Sequence, residues 1–411
     1  MTNKKVIVIG QDHYNTLWLV RSLGMVGIRP YLIIHSSNSR SFVSKSKYCK
    51  DFVILKEKEE ILQFLTSRTN EEKAVLFTSS DMFAEFLDKN YNILSKKYII
   101  QNCNGKQGNL SYWMDKNHMI LKAMDCGLIT PISYSLSTSI KSDLSLIKFP
   151  CLVKPELSAE ASKDNFRLCY NIQDLNTAIQ EVKKNCSKVL VQEYIKAEYE
   201  YLIYGVSTDA EICIPGGLRK IHTCTSSNNL GMMSYSCLSN EIPSQIGSFD
   251  KIKKFIKSIG YIGLFSIEFM ITKDKAYFLE INLRNDGTCY ITTQAGVNMP
   301  ALWAYSSLGK DSSNLSRTFK RPYTYGMNEI NYLKYTFNFK NFIRCLKEIF
   351  SVRAFSLIKI NDMKPVVYKL LISGIYIPIT NYVRNLGGGI LCNSTLYNLQ
   401  YDGLIERGCA A

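Results

Sequence analysis

Gly263–Thr288 reads GLFSIEFMITKDKAYFLEINLRNDGT, two apolar runs separated by the short polar segment TKDK. SIEFMI and AYFLEINL have the length and composition of strands, so the segment predicts a β-hairpin. The hairpin sets Glu268 on one strand against the Glu280 region of the other, with Asn282 two residues further on. Two carboxylates and an amide oxygen are hard ligands of the kind Mg²⁺ takes, usually together with water and nucleotide phosphates; Mn²⁺ accepts the same donors. The simpler alternative is a pair of solvated acids on the outer face of an ordinary hairpin. It fits less well, because Glu280 is embedded in FLEIN, and a buried carboxylate without a cation is costly. Arg284 completes the spacing E-x-N-x-R and adds a fixed cation.

Upstream, FPCLVKP ends an apolar strand on Lys154, where an ammonium can reach phosphate as a mobile point charge. The polar loop ELSAEASKDN follows, then a second strand, FRLCYN. Further on, KVLVQEYIKAEYEYLIYGV ends one run at Gln192-Glu193-Tyr194-Ile195 and begins another near Glu200. A strand leaving the sheet there offers backbone groups to a purine, and Glu200 is placed to accept from ribose hydroxyls.

In this order, the lysine of MDKNHM, the strand-borne lysine, the Q-E-Y-I hinge and the E-x-N-x-R hairpin resemble the ATP-grasp superfamily over about residues 1 to 310. The resemblance implies that Lys116 and Lys154 are the nucleotide-phosphate lysines, that Glu193, Tyr194 and Ile195 form the adenine hinge, and that Glu200 is the ribose-binding acid. It implies Glu268, Glu280 and Asn282 as the Mg²⁺ ligands. Arg284 corresponds to the arginine that meets the reacting phosphate or carboxylate. RKIHTCTSSNNLGMMSYS and RNDGTCYITTQAGVNMPALW look most like carboxylate–amine ligases of the D-aspartate ligase type. Such enzymes use ATP and Mg²⁺ to join a small carboxylic acid to an amine. Two departures stand out. No glycine lies between Lys154 and Gly205, which leaves Ser158, Ser162 and Lys163 to serve the phosphate-covering loop, and Ser266 occupies the place where several relatives have an arginine. Arg219 and Lys220 are then expected to join Arg284 in stabilising anionic charge.

The expected fold class is α/β with α+β lobes: an ATP-grasp fold behind a Rossmann-like domain at 1–110. The ATP-grasp domain would span 111–310, with a lid lobe to about 205 and a metal-bearing lobe beyond it. KKVIVIG, a helical NTLWLVRSLGMVG and YLIIHS form a doubly wound opening. Gly10 is followed by Gln-Asp-His-Tyr-Asn and not by G-x-G-x-x-G, so a dinucleotide site fails its main test. Asp81 in AVLFTSSDMFAEFL is expected to cap a helix or to contact substrate, with capping the preferred role. Residues 311–411 change character to a basic, aromatic extension. Its run VVYKLLISGIYIPITNYV is broken by Lys369, Gly374 and Pro378, and reads as a docked helix or an interfacial anchor.

At 411 residues and 46% hydrophobic, the chain can bury a sizeable core in two or three domains. Thirteen cysteines, an odd number without a C-x-x-C pair, argue against a zinc site or a disulfide framework and for reduced thiols in the cytoplasm. Its N-terminal apolar stretch is too short for a signal peptide. The net charge of +15 is spread over single lysines and KK pairs, so no nucleic-acid partner is expected. Peripheral membrane contact through the C-terminal region and a homodimer both stay open. Two other functions do as well: a carboxylase or carbamoyl-phosphate-type enzyme using bicarbonate, and a non-catalytic nucleotide-binding scaffold.

Overall fold

The computed structural model describes residues 5–69, 72–137, 147–157, 166–223, 233–337 and 339–372, and lays out three sheets along the chain. The first contains β1 (Val6–Gln11), β2 (Tyr31–His35), β3 (Asp51–Leu55), β4 (Ala74–Thr78) and β5 (Tyr98–Ile100), all parallel, in the order β3-β2-β1-β4-β5. Strands covered by helices on both faces are apolar throughout, and VIVIG is the case in point. Val6 and Val8 pack with Leu17 and Val20 of the helix Tyr14–Gly24, whereas Ile7 and Ile9 pack with Leu65 and Leu87 from helices on the other side. Any side chain at Gly10 would collide with Thr16 and Ser79, which keeps the turn after β1 tight.

After β6 (Asn102–Cys103), the second sheet contains β7 (Ser133–Ser137), β8 (Cys151–Pro155), β9 (Arg167–Cys169) and β10 (Lys188–Glu193), antiparallel and ordered β7-β10-β8-β9. The helix Ile172–Lys183 covers it, turning Leu175, Ala178, Ile179 and Val182 onto Val153, Val189 and Val191. Its start is fixed by Asn171, whose side chain accepts from the Asp174 N–H at 2.8 Å.

The third sheet is built from β11 (Tyr199–Ser207), β12 (Ile212–Cys213), β13 (Gly217–Thr223), β14 (Met233–Ser239), β15 (Tyr261–Ile271), β16 (Ala276–Asn282), β17 (Thr324–Met327) and β18 (Val352–Phe355). They run β16-β15-β11-β13-β14-β17-β18, with β12 on β11 and β6 on β15. Alternation splits this sheet between two cores. Tyr201, Ile203, Phe265 and Phe269 face the helix Asp250–Ser258, while Leu202, Tyr204, Val206 and Leu264 share a core with the first sheet.

Composition places a boundary near residue 310, yet the sheet runs on past it. β17 pairs antiparallel with β14, and β18 lies parallel to β17. Glu329 holds this return in place by accepting from the N–H groups of Ser356, Leu357 and Ile358 at 2.8–2.9 Å. Arg21 and Asp362, both without exposed side-chain surface, pair at 2.9 Å and fasten the segment to the first sheet's helix. The helix Lys364–Ile372 then sets Lys369 Nζ 4.3 Å from the centre of the Phe42 ring. That is the docked arrangement for the described part of the apolar run; residues 373–383 lie outside the described residues. Among the described residues no helix is long and apolar enough to cross a membrane.

Candidate active site

The β15–β16 hairpin closes through Thr272 and Lys275, whose backbone N–H and C=O groups bond at 2.9 Å. Pairing starts as Ile271↔Ala276, Met270↔Tyr277 and Phe269↔Phe278. Uninterrupted alternation would next set Leu279 against Glu268 and send Glu280 and Asn282 to the opposite face. Instead the register slips by one residue between Phe269 and Glu268, giving Glu268↔Glu280, Ile267↔Ile281 and Ser266↔Asn282. This bulge brings the two carboxylates and the amide together on one face.

Glu200 and Lys220 share that face, since β11 pairs Leu202 with Glu268 and β13 pairs Leu218 with Leu202. Lys220 Nζ lies 2.5 Å from Glu200 Oε2 and 3.6 Å from Glu268 Oε2. Burial works to lower its pKa, but the Glu268 and Glu200 carboxylates outweigh it and hold the ammonium above its usual range. Lys116 opens the helix Lys116–Asp125, capped by Asp115, and its buried Nζ stands 4.0 Å from Glu280 Oε2. Lys154, at the end of β8, donates to Gln192 Oε1 at 2.9 Å. Its pKa is pushed down to about 8, first by burial and then by the charge of Lys116, with Glu280 and Glu268 opposing.

Two carboxylates directly opposite across strands repel. Their side chains are 26% and 29% exposed, so they are accessible from solvent while flanked by cations. Among the described residues no three His, Cys, Asp or Glu side chains cluster as a metal site. Glu268, Glu280 and the Asn282 amide still form a hard-oxygen set that fits Mg²⁺ if phosphate and water supply the other ligands. Asn282 is oriented for this, its Nδ2 donating to Ser266 Oγ and its Oδ1 accepting from Arg284, both at 3.2 Å.

Arg284 grips Asp81 with two bonds, Nε to Oδ1 at 2.9 Å and Nη2 to Oδ2 at 2.7 Å. The expected cap at Asp81 is therefore corrected: Ser80 caps the helix Asp81–Lys89, accepting from the Phe83 N–H, and Asp81 is left to reach Arg284. Arg219 is not brought into the cluster. Adjacent strand residues point to opposite faces, and its guanidinium lies 4.1 Å from the centre of the Tyr199 ring on the far side of the sheet.

At the hinge, the Glu193 N–H donates to Ile132 O at 2.8 Å, and Glu193 Oε2 accepts from the Ile132 N–H at 3.3 Å. Tyr194 is half-exposed and Ile195 buried. A small cavity opens here, lined by Ile132, Tyr134, Ile147, Val191, Gln192 and Glu193 among others. Ile132 and Tyr134 were not legible as neighbours of the hinge, because only the pairing of β7 with β10 carries that edge to it, and Ile147 reaches the same cavity from just before β8. Ser158, Ser162 and Lys163 lie outside the described residues.

His13 is structural: its Nδ1 accepts from the Asn15 N–H at the helix start, and burial holds its pKa down to about 4. Cys151 faces Cys169 across β8 and β9, and Cys289 is a buried thiol pushed up to about 12 by desolvation. Neither has the thiolate character of a nucleophile.

Three sheets in this order, with the candidate nucleotide face between the second and third, define the ATP-grasp fold. Comparison with known proteins agrees: residues 233–329 match the family described as ATP-grasp in the biosynthetic pathway with Ter operon. The N5-carboxyaminoimidazole synthetase of Staphylococcus aureus, complexed with ADP, superposes with a TM-score of 0.62 at 16% identity, covering 81% of this chain and 86% of that one. An L-amino acid ligase from Bacillus licheniformis gives a TM-score of 0.58 at 14% identity, covering 77% of each chain. The carbamoyl phosphate synthase large chain of Lachnoclostridium phytofermentans is 24% identical over 172 residues, 41% of this chain and 16% of that relative's length. The chain thus has the ATP-grasp fold over most of its length, and residues 233–329 match an ATP-grasp family.

Proposed function

We propose that this protein is an ATP- and Mg²⁺-dependent carboxylate–amine ligase that forms an amide or peptide bond and releases ADP. The observation that carries the reading is the convergence of Glu268, Glu280 and Asn282 on one sheet face, ringed by Lys116, Lys154 and Lys220. Mg²⁺ held by the three oxygen ligands would neutralise triphosphate charge. Lys116 and Lys154 would bind the phosphates, the hinge from Glu193 to Ile195 would seat the adenine, and Glu200, steadied by Lys220, would take the ribose hydroxyls. A substrate carboxylate oxygen attacks the γ-phosphorus and ADP leaves; an amine then attacks the acyl carbon and inorganic phosphate departs. Arg284, its plane fixed by Asp81, would meet the charge that develops on the acyl phosphate. The structural likeness to an L-amino acid ligase favours an amino acid as substrate; peptide or cell-surface polymer synthesis is the setting we propose for it. Ten free cysteines among the described residues support a reducing, cytoplasmic setting.

Nucleotide analysis after incubation with Mg²⁺, ATP and a panel of amino acids and uronic acids tests this reading. Acid-dependent ADP is expected, and AMP would reject the mechanism. A bicarbonate-using enzyme is the second reading, favoured by the likeness to a carboxyaminoimidazole synthetase and to a carbamoyl phosphate synthase. ADP release that requires bicarbonate would select it, and absence of turnover with every acid would leave a nucleotide-binding scaffold.

Lys154 makes two further predictions. Lys154→Ala should weaken ATP binding by about 1.5–3 kcal/mol, the scale of a charge-assisted hydrogen bond. Because burial holds the free-state pKa near 8 and phosphate favours the ammonium, wild-type affinity should fall as pH rises above about 8, with proton uptake on binding. Calorimetry in buffers of different ionisation enthalpy checks both; a flat profile that matches the alanine variant would remove Lys154 from the site.

A further inference from the structure

The helix Phe342–Ser351 touches the protein along one side only. Cys345 is buried, Ile349 packs beside Tyr235 and Tyr332, and Glu348 accepts from His222 Nε2 at 3.0 Å. On the opposite side Ile343 is 72% and Phe350 83% exposed, and Phe339, in the turn just before the helix, is 81% exposed. Phe339 stacks on Phe342, so the aromatic edge is continuous with the helix. At helical spacing Phe342, Ile343, Leu346 and Phe350 form one arc of the outward face, and Arg344 and Lys347 the adjoining arc. Bulky apolar side chains exposed together in this way mark an interaction surface.

Its charge is of one sign. Residues 333–371 carry eight lysines and arginines against two acids, Glu348 and Asp362. Both acids are mostly turned inward: Glu348 to His222 and Tyr332, with the half-exposed Arg344 3.6 Å from its carboxylate, and Asp362 to the buried Arg21. Of the cations, Lys359 is turned to Tyr290 and Lys369 to Phe42, so what the helix offers outward beside exposed Phe and Ile is Lys347 and the half-exposed Arg344. A second copy of the same face would set like charges against each other in a two-fold dimer. Nucleic acid would match the cations but leave Ile343 and Phe350 in water.

We propose that this face docks on an anionic phospholipid surface, with Phe339, Ile343 and Phe350 entering the headgroup boundary and Arg344 and Lys347 meeting lipid phosphates. It does not depend on the ligase reading.

Flotation of the full chain with vesicles tests it. Vesicles of phosphatidylcholine mixed with phosphatidylglycerol should carry the protein, and pure phosphatidylcholine should carry roughly tenfold less, with binding falling as salt rises. The double variants Ile343→Ser with Phe350→Ser, and Arg344→Glu with Lys347→Glu, should each lose about tenfold or more in partition while keeping wild-type ATP affinity. Absence of binding to the anionic vesicles would overturn the proposal. So would binding that both variants retain. Loss in the variants of self-association or of duplex RNA binding, with vesicle flotation unchanged, would likewise overturn it and assign the face to that partner.

Discussion

Glu280→Gln is expected to lower ATP turnover by about a thousandfold or more, the scale of the several kcal/mol that a bound metal supplies to a transition state. The fold should be unaffected. Gln keeps the shape of Glu, and in the apo-protein Glu280 stands directly opposite a second carboxylate, Glu268, so the substitution removes a repulsion along with a ligand. Steady-state ADP release and thermal unfolding, measured on the same preparation, separate the two effects. Wild-type turnover would remove Glu280 from the metal site; a collapse in melting temperature would make its role structural.

The largest expected effect on stability lies far from that site. Asp362→Ala should destabilise the protein by about 3–5 kcal/mol, because it leaves the Arg21 guanidinium buried without its counter-charge. The same carboxylate also accepts from the Lys47 N–H at 2.8 Å and from Ser46 Oγ at 2.8 Å, and both bonds are lost with it. Replacing the pair together, Arg21→Met with Asp362→Leu, should recover much of the loss, since a buried ion pair exchanged for apolar side chains is often neutral or better. Denaturant unfolding of the wild type, Arg21→Met, Asp362→Leu and the double variant completes the cycle, with Asp362→Ala measured beside it. Equal losses in the double variant and in Asp362→Ala would mean that packing of the return segment, and not the unpaired charge, accounts for the effect.

The hairpin and its acids were legible because strand length and a polar turn are local signals. Leu279 was not. The extra residue that turns Glu280 and Asn282 onto the Glu268 face shows itself only in the pairing register, and simple alternation from the TKDK turn predicts the opposite placement. The exclusion of Arg219 could have been read, because adjacent strand residues such as Arg219 and Lys220 cannot share a face. Asp81 illustrates a different limit. Ser80 and Asp81 are equally good caps by composition, and the choice is settled by Arg284, 203 residues along the chain. β17 and β18 are four residues each, too short for a pattern of their own, and they form because β14 presents an open edge to TYGM. Their membership of the third sheet follows from long-range pairing that composition does not carry. Lys116 and Lys154, the lysines we propose for phosphate, fared differently: each stands at the start or near the end of an element, where side-chain reach is set by local structure, so Lys154 was legible from its strand and Lys116 from the order of motifs.

In the proposed reaction, γ-phosphate transfer to a carboxylate activates it for attack by an amine. The most direct measurement uses the acid that supports ADP release, with heavy oxygen in both carboxylate positions. Attack of a carboxylate oxygen on the γ-phosphorus followed by amine displacement must leave one labelled oxygen in the inorganic phosphate and one in the amide. Mass spectrometry of the released phosphate should therefore show a single label per turnover. Unlabelled phosphate, or label recovered in AMP, would contradict the account.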